Sequence, residues 1–361
     1  MTDVANHTAP ADPPMTEPEH LRAILRWHFD PDTGSPFWLR KAPDLGFDPL
    51  TAVSGVEDLR RFPDISDELR TVPVEDLIPR GGAGGSFDVF ESGGTVGAPK
   101  RVIDSSARTR NVDWVSEVLA EHGFPDRGHW LHVGPTGPHV VGRSIRRLAH
   151  LRGAMCFTLD FDPRWVKRLI GAGRVELASE YRDYLLDQME LVVGTQDIAV
   201  LFITPPVLEA VCARPGLYEK LARSLRAILW AGTSISPESL RQIEETFFPD
   251  ATVAAIYGNT LMGIAPQRPR AADDPHPCVF RPYHPQSIVE LVDPGTGNAV
   301  AYGERGQVRI HQLSSDLFLP NMLERDTAIR VPPAKGDDVD GLADVAPPRT
   351  PDAPAAIEGV Y

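Results

Sequence analysis

The chain has 361 residues and a mass of 39.5 kDa, more than one ordinary domain needs, so two or three packed sub-domains are expected. Its composition, 42% hydrophobic and 24% charged, is typical of globular proteins and excludes a wholly disordered, collagen-like or coiled-coil chain. Acidic residues number 50 against 36 basic residues, and the net charge of -14 argues against nucleic acid or an anionic membrane as a partner.

The cysteine pattern and the chain ends indicate a cytoplasmic protein. Cys156, Cys212 and Cys278 lie far apart without a C-x-x-C pair, so neither a disulfide framework nor a zinc site is predicted, and a reducing compartment fits. Prolines cluster near both ends, and the first residues are polar and acidic without the apolar segment of a signal peptide. No apolar run approaches the ~20 residues of a membrane span. We therefore expect a disordered leader at 1–19 and a Pro/Asp-rich tail at 336–361.

The part that follows the leader predicts a set of short helices. Thr16 and Glu19 have the T-x-x-E spacing of a capping box, and apolar residues follow at helical spacing. The next fifty or so residues are rich in Pro, Asp and short apolar triplets, which favours short helices and connectors packed on a larger body. We assign residues 20–85 to an N-terminal helical appendage.

Two segments with basic or histidine residues have structural explanations. The run 143–152 holds four arginines among apolar residues, a pattern that predicts an amphipathic helix rather than a nucleic-acid surface. His129 and His132 are three residues apart on a predicted strand, where they face opposite sides, so a metal pair is not favoured.

Between residues 198 and 257, apolar β-branched runs alternate with helical patterns at the lengths of βαβ units. Pro205 begins one predicted helix, and Ser236 caps a second. Right-handed crossovers would make the strands parallel, and ligands of such sheets bind beyond the carboxyl ends of the strands. The predicted strands are 198–204, 227–230 and 252–256, and the segments at their carboxyl ends are 204–205, 231–233 and 257–260.

Beyond Gln286 the sequence pattern changes to alternating strands separated by turn residues. Strands are predicted at 287–292 and 307–313, with a turn at 293–298. This pattern favours an antiparallel β sub-domain, which we place at residues 281–335. The whole chain is therefore predicted to be an α/β protein with helix-flanked, mostly parallel sheets followed by an antiparallel sub-domain.

A glycine-rich segment at residues 92–100 can wrap a polyphosphate, because glycines let backbone N–H groups approach an anion while hydroxyls and a lysine add further contacts. A glycine-rich surface turn is the alternative. Lys100 follows a proline and precedes an arginine, so the segment does not match G-x-x-x-x-G-K-[ST], and a P-loop kinase or GTPase is disfavoured. The residues that carry the pattern are Ser92, Gly93, Gly94, Thr95, Gly97 and Lys100.

Together with four later segments, this loop resembles the adenylate-forming superfamily, which comprises acyl-CoA synthetases, aryl-acid ligases and peptide-synthetase adenylation domains. The segment 35–38 and the arginine before Asp326 are similar to the phenylacetate-CoA ligase branch. The resemblance covers about residues 20 to 335, and the motifs follow each other in the family's order. The four later segments are 225–233, 256–260, 303–308 and 323–326.

The resemblance implies the large N-terminal domain of that superfamily, with residues 86–280 as the nucleotide- and acyl-binding core and without the mobile C-terminal domain. It also implies ATP and Mg²⁺ as cofactors. A carboxylate would attack the α-phosphate to give an acyl adenylate and pyrophosphate, and a thiol would then take the acyl group. The partners implied are an aromatic or other small carboxylic acid, CoA or the phosphopantetheine of a carrier protein, and in many members a second copy of the chain. An aryl acid of secondary metabolism is the substrate expected.

Roles carry over from the resemblance residue by residue. The loop residues Ser92, Gly94, Thr95 and Lys100, with Gly93 and Gly97 between them, would hold the β- and γ-phosphates. The adenine would lie against Gly232, Thr233 and Tyr257, and the last of these shares its motif with Gly258 and Asn259. Thr260 would contact the α-phosphate, and Asp326 would accept both ribose hydroxyls, as an ionised carboxylate can. His139 would lie near the acyl pocket, with a purely structural histidine as the alternative.

The chain departs from the family pattern in two places. Residue 261 is leucine where the family has a glutamate that helps to hold Mg²⁺, and leucine cannot bind a metal, so the metal ligands stay unassigned. The mobile C-terminal domain of ~100 residues, with its catalytic lysine, is also missing from the pattern. Two alternatives to a working ligase therefore remain open: a catalytically impaired nucleotide- or acyl-binding homologue, and a core that needs a separate C-terminal domain.

Overall fold

The computed structural model describes residues 16–93, 97–271 and 274–347. Short 3₁₀ turns connect the helices of the N-terminal part, and a single π-turn continues the helix α10. The α-helices in these residues are α1 (Glu17–Phe29), α2 (Pro36–Lys41), α3 (Pro49–Ala52), α4 (Ala107–Glu121), α5 (Val140–Leu151), α6 (Pro163–Gly171), α7 (Val175–Val193), α8 (Pro205–Cys212), α9 (Pro215–Ser224) and α10 (Pro237–Gln242). The strands are β1 (Asp88–Glu91), β2 (Arg101–Asp104), β3 (His129–Gly134), β4 (Cys156–Asp160), β5 (Ile198–Ile203), β6 (Ala227–Trp230), β7 (Thr252–Asn259), β8 (Gly263–Pro266), β9 (Val279–Phe280), β10 (Ser287–Val292), β11 (Arg305–Leu313), β12 (Phe318–Val331) and β13 (Gly341–Ala346).

The N-terminal helices pack on the antiparallel sheet. The predicted capping box is confirmed at the start of α1, where Glu19 Oε2 accepts hydrogen bonds from the backbone N–H and the hydroxyl of Thr16 at 3.0 and 2.8 Å. Trp38 on α2 is buried, and its indole N–H donates to the carbonyl oxygen of Phe318 at 2.8 Å. Because Leu21, Trp38 and Phe318 belong to one apolar cluster, these helices share the core of the larger body, as their composition predicted.

A six-stranded sheet forms the centre of the chain, in the order β4-β3-β5-β6-β7-β8. Neighbouring strands from β4 to β7 are parallel, and β8 is antiparallel to β7. The three strands and two helices predicted between residues 198 and 257 are confirmed. The structure adds one helix, α9, to the first crossover.

Strand β5 shows why the continuous apolar run at its position predicts a strand. All six of its residues are buried, because helices cover both faces of the sheet. Val200 and Phe202 pack into a cluster formed with α4 and α5, whereas Leu201 and Ile203 pack into a second cluster formed with α7, α8 and α9. Because side chains alternate between the two faces of a strand, β5 contributes to both apolar clusters.

The C-terminal part is a five-stranded antiparallel sheet in the order β10-β11-β12-β13-β9. The strands predicted at 287–292 and 307–313 are confirmed. One correction concerns the segment 336–361, which composition assigned to a tail: Gly341–Ala346 is strand β13 and lies between β12 and β9. Its six residues are too few for a clear pattern, and one of the two strands that pair with it, β9, is distant in the sequence.

Other expectations concern individual segments. The basic run lies mainly in α5, where Ile145 and Leu148 are buried and Arg147 forms two hydrogen bonds with Asp113, at 2.7 and 2.8 Å, so the amphipathic helix is confirmed. The three cysteines carry free thiols. Across residues 16–93, 97–271 and 274–347, none of the helices has the length and apolar character needed to cross a membrane.

Candidate active site

A pocket of about 550 Å³ opens at the carboxyl edge of the parallel sheet. This is the edge where ligands of such sheets bind, and the volume includes space that is open to solvent. Its walls come from the end of β3, the N-terminus of α5, the ends of β6 and β7, the start of β8 and the glycine-rich segment. The residues that line it are Gly93, Pro135, His139, Val140, Val141, Ala231, Ile256, Gly258, Asn259, Thr260, Gly263 and Ile264.

Five of the predicted site residues line this pocket together: Gly93, His139, Gly258, Asn259 and Thr260. They reach it from three separate segments of the chain. Gly258 and Asn259 end β7, Thr260 follows them, and His139 is the residue before α5. The Thr260 hydroxyl lies 3.4 Å from the carbonyl oxygen of Glu91, which connects this turn to the glycine-rich segment.

The glycine-rich segment connects the two strands of the β1–β2 hairpin. Ser92 and Lys100 close its ends, because the Ser92 N–H donates to the Lys100 carbonyl at 2.9 Å and the Lys100 N–H donates to the Ser92 hydroxyl oxygen at 2.8 Å. Gly97 has φ +75°, a conformation that favours glycine. Two predicted phosphate ligands, Gly94 and Thr95, lie outside the described residues.

The side chain of Lys100 turns toward the C-terminal sheet. Its ammonium forms an ion pair of 2.5 Å with Glu324 on β12, and both side chains are largely buried, at 12% and 16% exposure. Glu324 is two residues before Asp326, so this ion pair brings the end of the glycine-rich segment close to the predicted ribose ligand. A phosphate would have to share Lys100 with Glu324.

Tyr257 faces the opposite side of β7 from the pocket residues Ile256 and Gly258, and there it meets Asp326. Its hydroxyl donates to Asp326 Oδ2 at 3.0 Å. Burial first, and then the negative charge of Asp326, raise the pKa of Tyr257 well above its usual value. The structure thus joins a predicted adenine neighbour to the predicted ribose ligand across two sheets.

The turn after β6 carries the other two predicted adenine neighbours, Gly232 and Thr233. Gly232 has φ +97°, which requires glycine for an unstrained turn. Among the residues described, the Thr233 hydroxyl and the indole N–H of Trp230 are buried and have no hydrogen-bond partner. Buried polar atoms are normally satisfied, so these two fit a ligand that brings its own polar groups, as an adenine nucleotide would. Neither Gly232 nor Thr233 lines the 550 Å³ pocket, whereas Ala231 does.

The surroundings of residue 261 bear on whether this position can bind Mg²⁺. Leu261 is 1% exposed, and its side chain packs in the apolar core that joins the N-terminal helices to the C-terminal sheet. In the part of the chain that is described, no three His, Cys, Asp or Glu side chains are grouped to hold a metal ion. The ligands of Mg²⁺ therefore stay unassigned in these residues.

His132 has a structural role in the core. It is buried on β3, its ring stacks on Phe202 with centroids 4.8 Å apart, and burial lowers its pKa to about 4. His139 differs, because it borders the pocket; burial and the nearby positive charge of Arg164 lower the pKa of its imidazole. The neutral ring is therefore the dominant form at pH 7.

Two arginines that the motifs did not single out hold the site together. Arg108, in the first turn of α4, donates from Nη2 to the Thr260 carbonyl, and its guanidinium lies 5.5 Å from the centroid of Phe90. Arg164, at the start of α6, donates to Glu91 Oε2 at 3.0 Å and to the Ser92 carbonyl at 2.9 Å. Both contacts are long-range in sequence, and neither arginine belongs to a motif that could have revealed it.

Comparisons with known proteins agree with this geometry. The family model described as "AMP-binding enzyme" matches residues 92–314, more than half of the chain. The chain belongs to this family, and so to the adenylate-forming superfamily. Enzymes of this superfamily use ATP with Mg²⁺, the cofactors that the resemblance implied. The phenylacetate-CoA ligase branch stays a prediction. A search of curated proteins gave no significant match.

Solved structures support the fold. Among similar ones is 2-hydroxyisobutyryl-CoA ligase in the postadenylation state, with a TM-score of 0.62, 14% identity, and coverage of 91% of this chain and 65% of that chain. The same ligase with 2-HIB-AMP and CoA in the thioesterification state gives a TM-score of 0.63 and 15% identity, and the match covers 91% of this chain and 67% of that chain. An open conformation of that ligase gives a TM-score of 0.60 and 16% identity, and the match covers 90% of this chain and 72% of that chain. The chain therefore spans about two thirds of the length of these relatives, and its α/β fold with a C-terminal antiparallel sheet is that of the N-terminal domain of adenylate-forming enzymes.

Proposed function

We propose that this protein activates a small carboxylic acid as an acyl adenylate and passes the acyl group to a thiol. The observation that carries the proposal is the convergence of separate motif segments at one edge of the parallel sheet. Gly93, His139 and Thr260 line a single pocket there, and Tyr257 contacts Asp326 close by. Bound ATP would supply the electrophilic α-phosphate and pyrophosphate as the leaving group.

The chain's own residues would act by binding and positioning. Backbone N–H groups of the glycine-rich segment and the ammonium of Lys100 would bind phosphate oxygens. The Thr260 hydroxyl, at the border between this segment and the pocket, would donate to the α-phosphate. Asp326, oriented by the Tyr257 hydroxyl, would accept the ribose hydroxyls. Fixing both reactants in one geometry supplies much of the rate enhancement in such a displacement.

The pocket supports an acyl group that is small and uncharged. Its described walls are built mainly from aliphatic side chains, proline and glycines, and no Asp, Glu, Lys or Arg is among the lining residues. An ionised group on the acyl chain would lose its hydration without gaining a counter-charge. An aromatic ring fits this lining, and benzoates and phenylacetates are the acids we propose first. CoA or a carrier-protein phosphopantetheine is the proposed acceptor, and the cytosol is the proposed location.

A second candidate function is nucleotide or acyl binding without turnover. Two observations favour it: Leu261 is part of the apolar core, and Lys100 is paired with Glu324. In that case ATP binds, but the reaction is not completed.

Acid-dependent ATP–pyrophosphate exchange tests the proposal. The panel contains benzoates, phenylacetates, heteroaromatic acids and 2-hydroxyisobutyrate. We expect exchange with at least one acid and a loss of about 100- to 1,000-fold in the Thr260→Val variant, as is typical for removal of one transition-state donor. Thr195→Val, at an exposed position, is the matched control. ATP binding without exchange for any acid would favour the second candidate, and absence of ATP binding by the folded protein would contradict both.

A further inference from the structure

A buried hydroxyl at the carboxyl edge of the parallel sheet lacks a partner. Thr204, the residue after β5, is 2% exposed, and its hydroxyl has no hydrogen-bond partner among the residues that the structure describes. It is also the residue before α8, a position where a threonine hydroxyl commonly accepts a hydrogen bond from the first turn of the helix. In this chain only the Thr204 carbonyl oxygen does so, from the N–H groups of Val207 and Leu208 at 3.1 and 3.0 Å. Buried hydroxyls are normally paired, so this one fits a bound ligand.

The Thr204 side chain lies on the side of the sheet that carries the pocket. Its backbone is extended, with φ −88° and ψ 146°, so side chains keep alternating and Thr204 shares a face with Phe202. Two residues that line the pocket, Ala231 and Ile256, belong to the same apolar cluster as Phe202. The Ala231 N–H donates to the carbonyl oxygen of Ile203 at 3.3 Å, which continues the pairing of β5 with β6. Thr204 therefore lies beside Ala231, at the wall of the pocket.

A small hollow adjoins Thr204 on its other side, over β3. His132 pairs with Phe202, so Gly134, the next residue on that face of β3, falls beside Thr204. A Cβ at Gly134 would lie 3.1 Å from Phe202 Cε1 and 3.2 Å from His132 Cε1. Because glycine has no side chain, the space above these two rings stays open. Pro135, which follows Gly134, lines the pocket, so the hollow is next to it.

His132 adds a second polar atom without a partner on this face. Its Nε2 lies 3.3 Å from the Pro135 carbonyl oxygen, a contact that requires the hydrogen on Nε2. Nδ1 then carries a lone pair, and within the described part of the chain it is buried without a hydrogen-bond partner. Burial lowers the pKa of His132 to about 4, so the ring is neutral at pH 7. Thr204 and His132 thus present uncharged polar atoms, which suit a hydroxyl better than a second carboxylate or an ammonium.

The width of the sheet indicates where this hydroxyl lies on the acid. Neighbouring strands are ~4.8 Å apart and β6 separates β5 from β7, so Thr204 is about 10 Å from the strand that leads to Thr260. The proposed function places the reacting carboxylate near Thr260, at the α-phosphate. An aromatic ring with its carboxylate at one end and a hydrogen-bonding group at the other spans such a distance.

We propose that Thr204 is a specificity-determining residue, and that the protein activates an aromatic acid whose hydroxyl group, at the end opposite the carboxylate, forms a hydrogen bond with the Thr204 hydroxyl. This inference rests on the proposed function, since it uses the same pocket. The hydroxyl of the acid supplies the partner that Thr204 lacks. An acid without this group leaves the Thr204 hydroxyl buried and unpaired, and such a mismatch is a strong basis for discrimination between substrates.

ATP–pyrophosphate exchange with two matched pairs of acids tests the inference: 4-hydroxybenzoate against benzoate, and 4-hydroxyphenylacetate against phenylacetate. For the wild type we expect kcat/KM to favour the hydroxylated acid of at least one pair about ten-fold or more, because the other acid leaves a buried hydroxyl unpaired. Thr204→Val keeps the shape of threonine and removes the hydroxyl, so it should lose this preference and keep its rate with the unhydroxylated acid. Thr204→Ser keeps the hydroxyl and should retain the preference.

Thr252→Val makes the same change at the amino end of β7 and is the matched control, which should keep the preference of the wild type. Exchange without preference for a hydroxylated acid would overturn this inference and leave the proposed function intact. A preference that persists in Thr204→Val would also overturn it.

Two further measurements keep the inference testable if turnover is weak. Equilibrium titration with the same acids compares affinities directly, and equal affinities within both pairs would overturn the inference. Thr204→Val should be at least as stable as the wild type in chemical denaturation, because it removes an unpaired buried hydroxyl without changing its shape. A marked loss of stability would show that this hydroxyl serves the fold and would overturn the inference. Absence of both exchange and binding for every acid would contradict the proposed function as well.

Discussion

The Tyr257 hydroxyl donates a hydrogen bond of 3.0 Å to Asp326, 69 residues further along the chain. Tyr257 lies near the end of β7 in the six-stranded sheet, and Asp326 belongs to the antiparallel sheet. The contact therefore joins the two sheets beside the proposed nucleotide site and holds the Asp326 carboxylate from one side.

Removal of this hydrogen bond should weaken nucleotide binding. In Tyr257→Phe we expect ATP affinity to fall about ten-fold or more, since one hydrogen bond to a charged group is worth about 1.5–3 kcal/mol. Equilibrium titration with ATP measures the change. Tyr302→Phe is the matched control, because the Tyr302 hydroxyl donates to Asp340 at the same distance of 3.0 Å on the exposed surface. Equal effects of the two substitutions would show that Asp326 needs no orientation by Tyr257.

The ion pair between Lys100 and Glu324 should compete with phosphate for the lysine. In Glu324→Gln the competing charge is lost while the side-chain volume is kept, so we expect ATP affinity to rise about two- to five-fold. Lys100→Met should lower it. The free energy of unfolding of Glu324→Gln should decrease, because Lys100 loses its partner in a largely buried site. An unchanged ATP affinity in both variants would place the phosphates away from Lys100.

A glutamate at position 261 should destabilise the protein rather than create a metal site. Leu261 is 1% exposed and packs in the apolar core, so Leu261→Glu buries a charge and should cost about 2–5 kcal/mol of unfolding free energy. Leu261→Met, which conserves volume, should cost less than about 1.5 kcal/mol. Chemical denaturation measures both. A stable Leu261→Glu protein with faster pyrophosphate exchange would show that residue 261 can turn toward the nucleotide.

Buried His28 should make the protein less stable in mild acid. Its Nε2 lies 2.8 Å from the Ser314 carbonyl oxygen, and burial lowers its pKa from 6.5 to about 4. The unfolded chain therefore binds the proton more tightly than the folded protein, so stability is full above pH 6.5 and falls between pH 6.5 and 4, by about 3 kcal/mol in total. His132 has the same shift and acts in the same direction.

Denaturation curves measured between pH 7 and 4 test this effect. His28→Gln should reduce the loss of stability with falling pH, and so should His132→Gln. His150→Gln, at an exposed position, should leave the pH dependence unchanged. If the pH dependence of His28→Gln equals that of the wild type, His28 is protonated without cost in the folded protein.

Local sequence patterns were sufficient for the elements that carry the site. The strands β5, β6 and β7 are short apolar runs because helices cover the parallel sheet. Ser236 and Thr16 mark helix starts because the first backbone N–H groups of a helix need capping. Gly97 in the glycine-rich segment and Gly232 after β6 have positive φ angles, which favour glycine. These features depend on neighbours in the chain, and the sequence contains those neighbours.

Only the tertiary structure decided which of these segments meet. Tyr257 with Asp326, Lys100 with Glu324 and Arg108 with Thr260 are pairs separated by 69, 224 and 152 positions. Strand β13 pairs with the distant strand β9, and Leu261 points into the core. None of these has a local signature, because each depends on how two sheets and their helices pack. The sequence by itself determined the family, the motif order and the central strands. The packing of the sheets determined which charged groups meet at the proposed nucleotide site, since electrostatic interactions depend on distances in space and not along the chain.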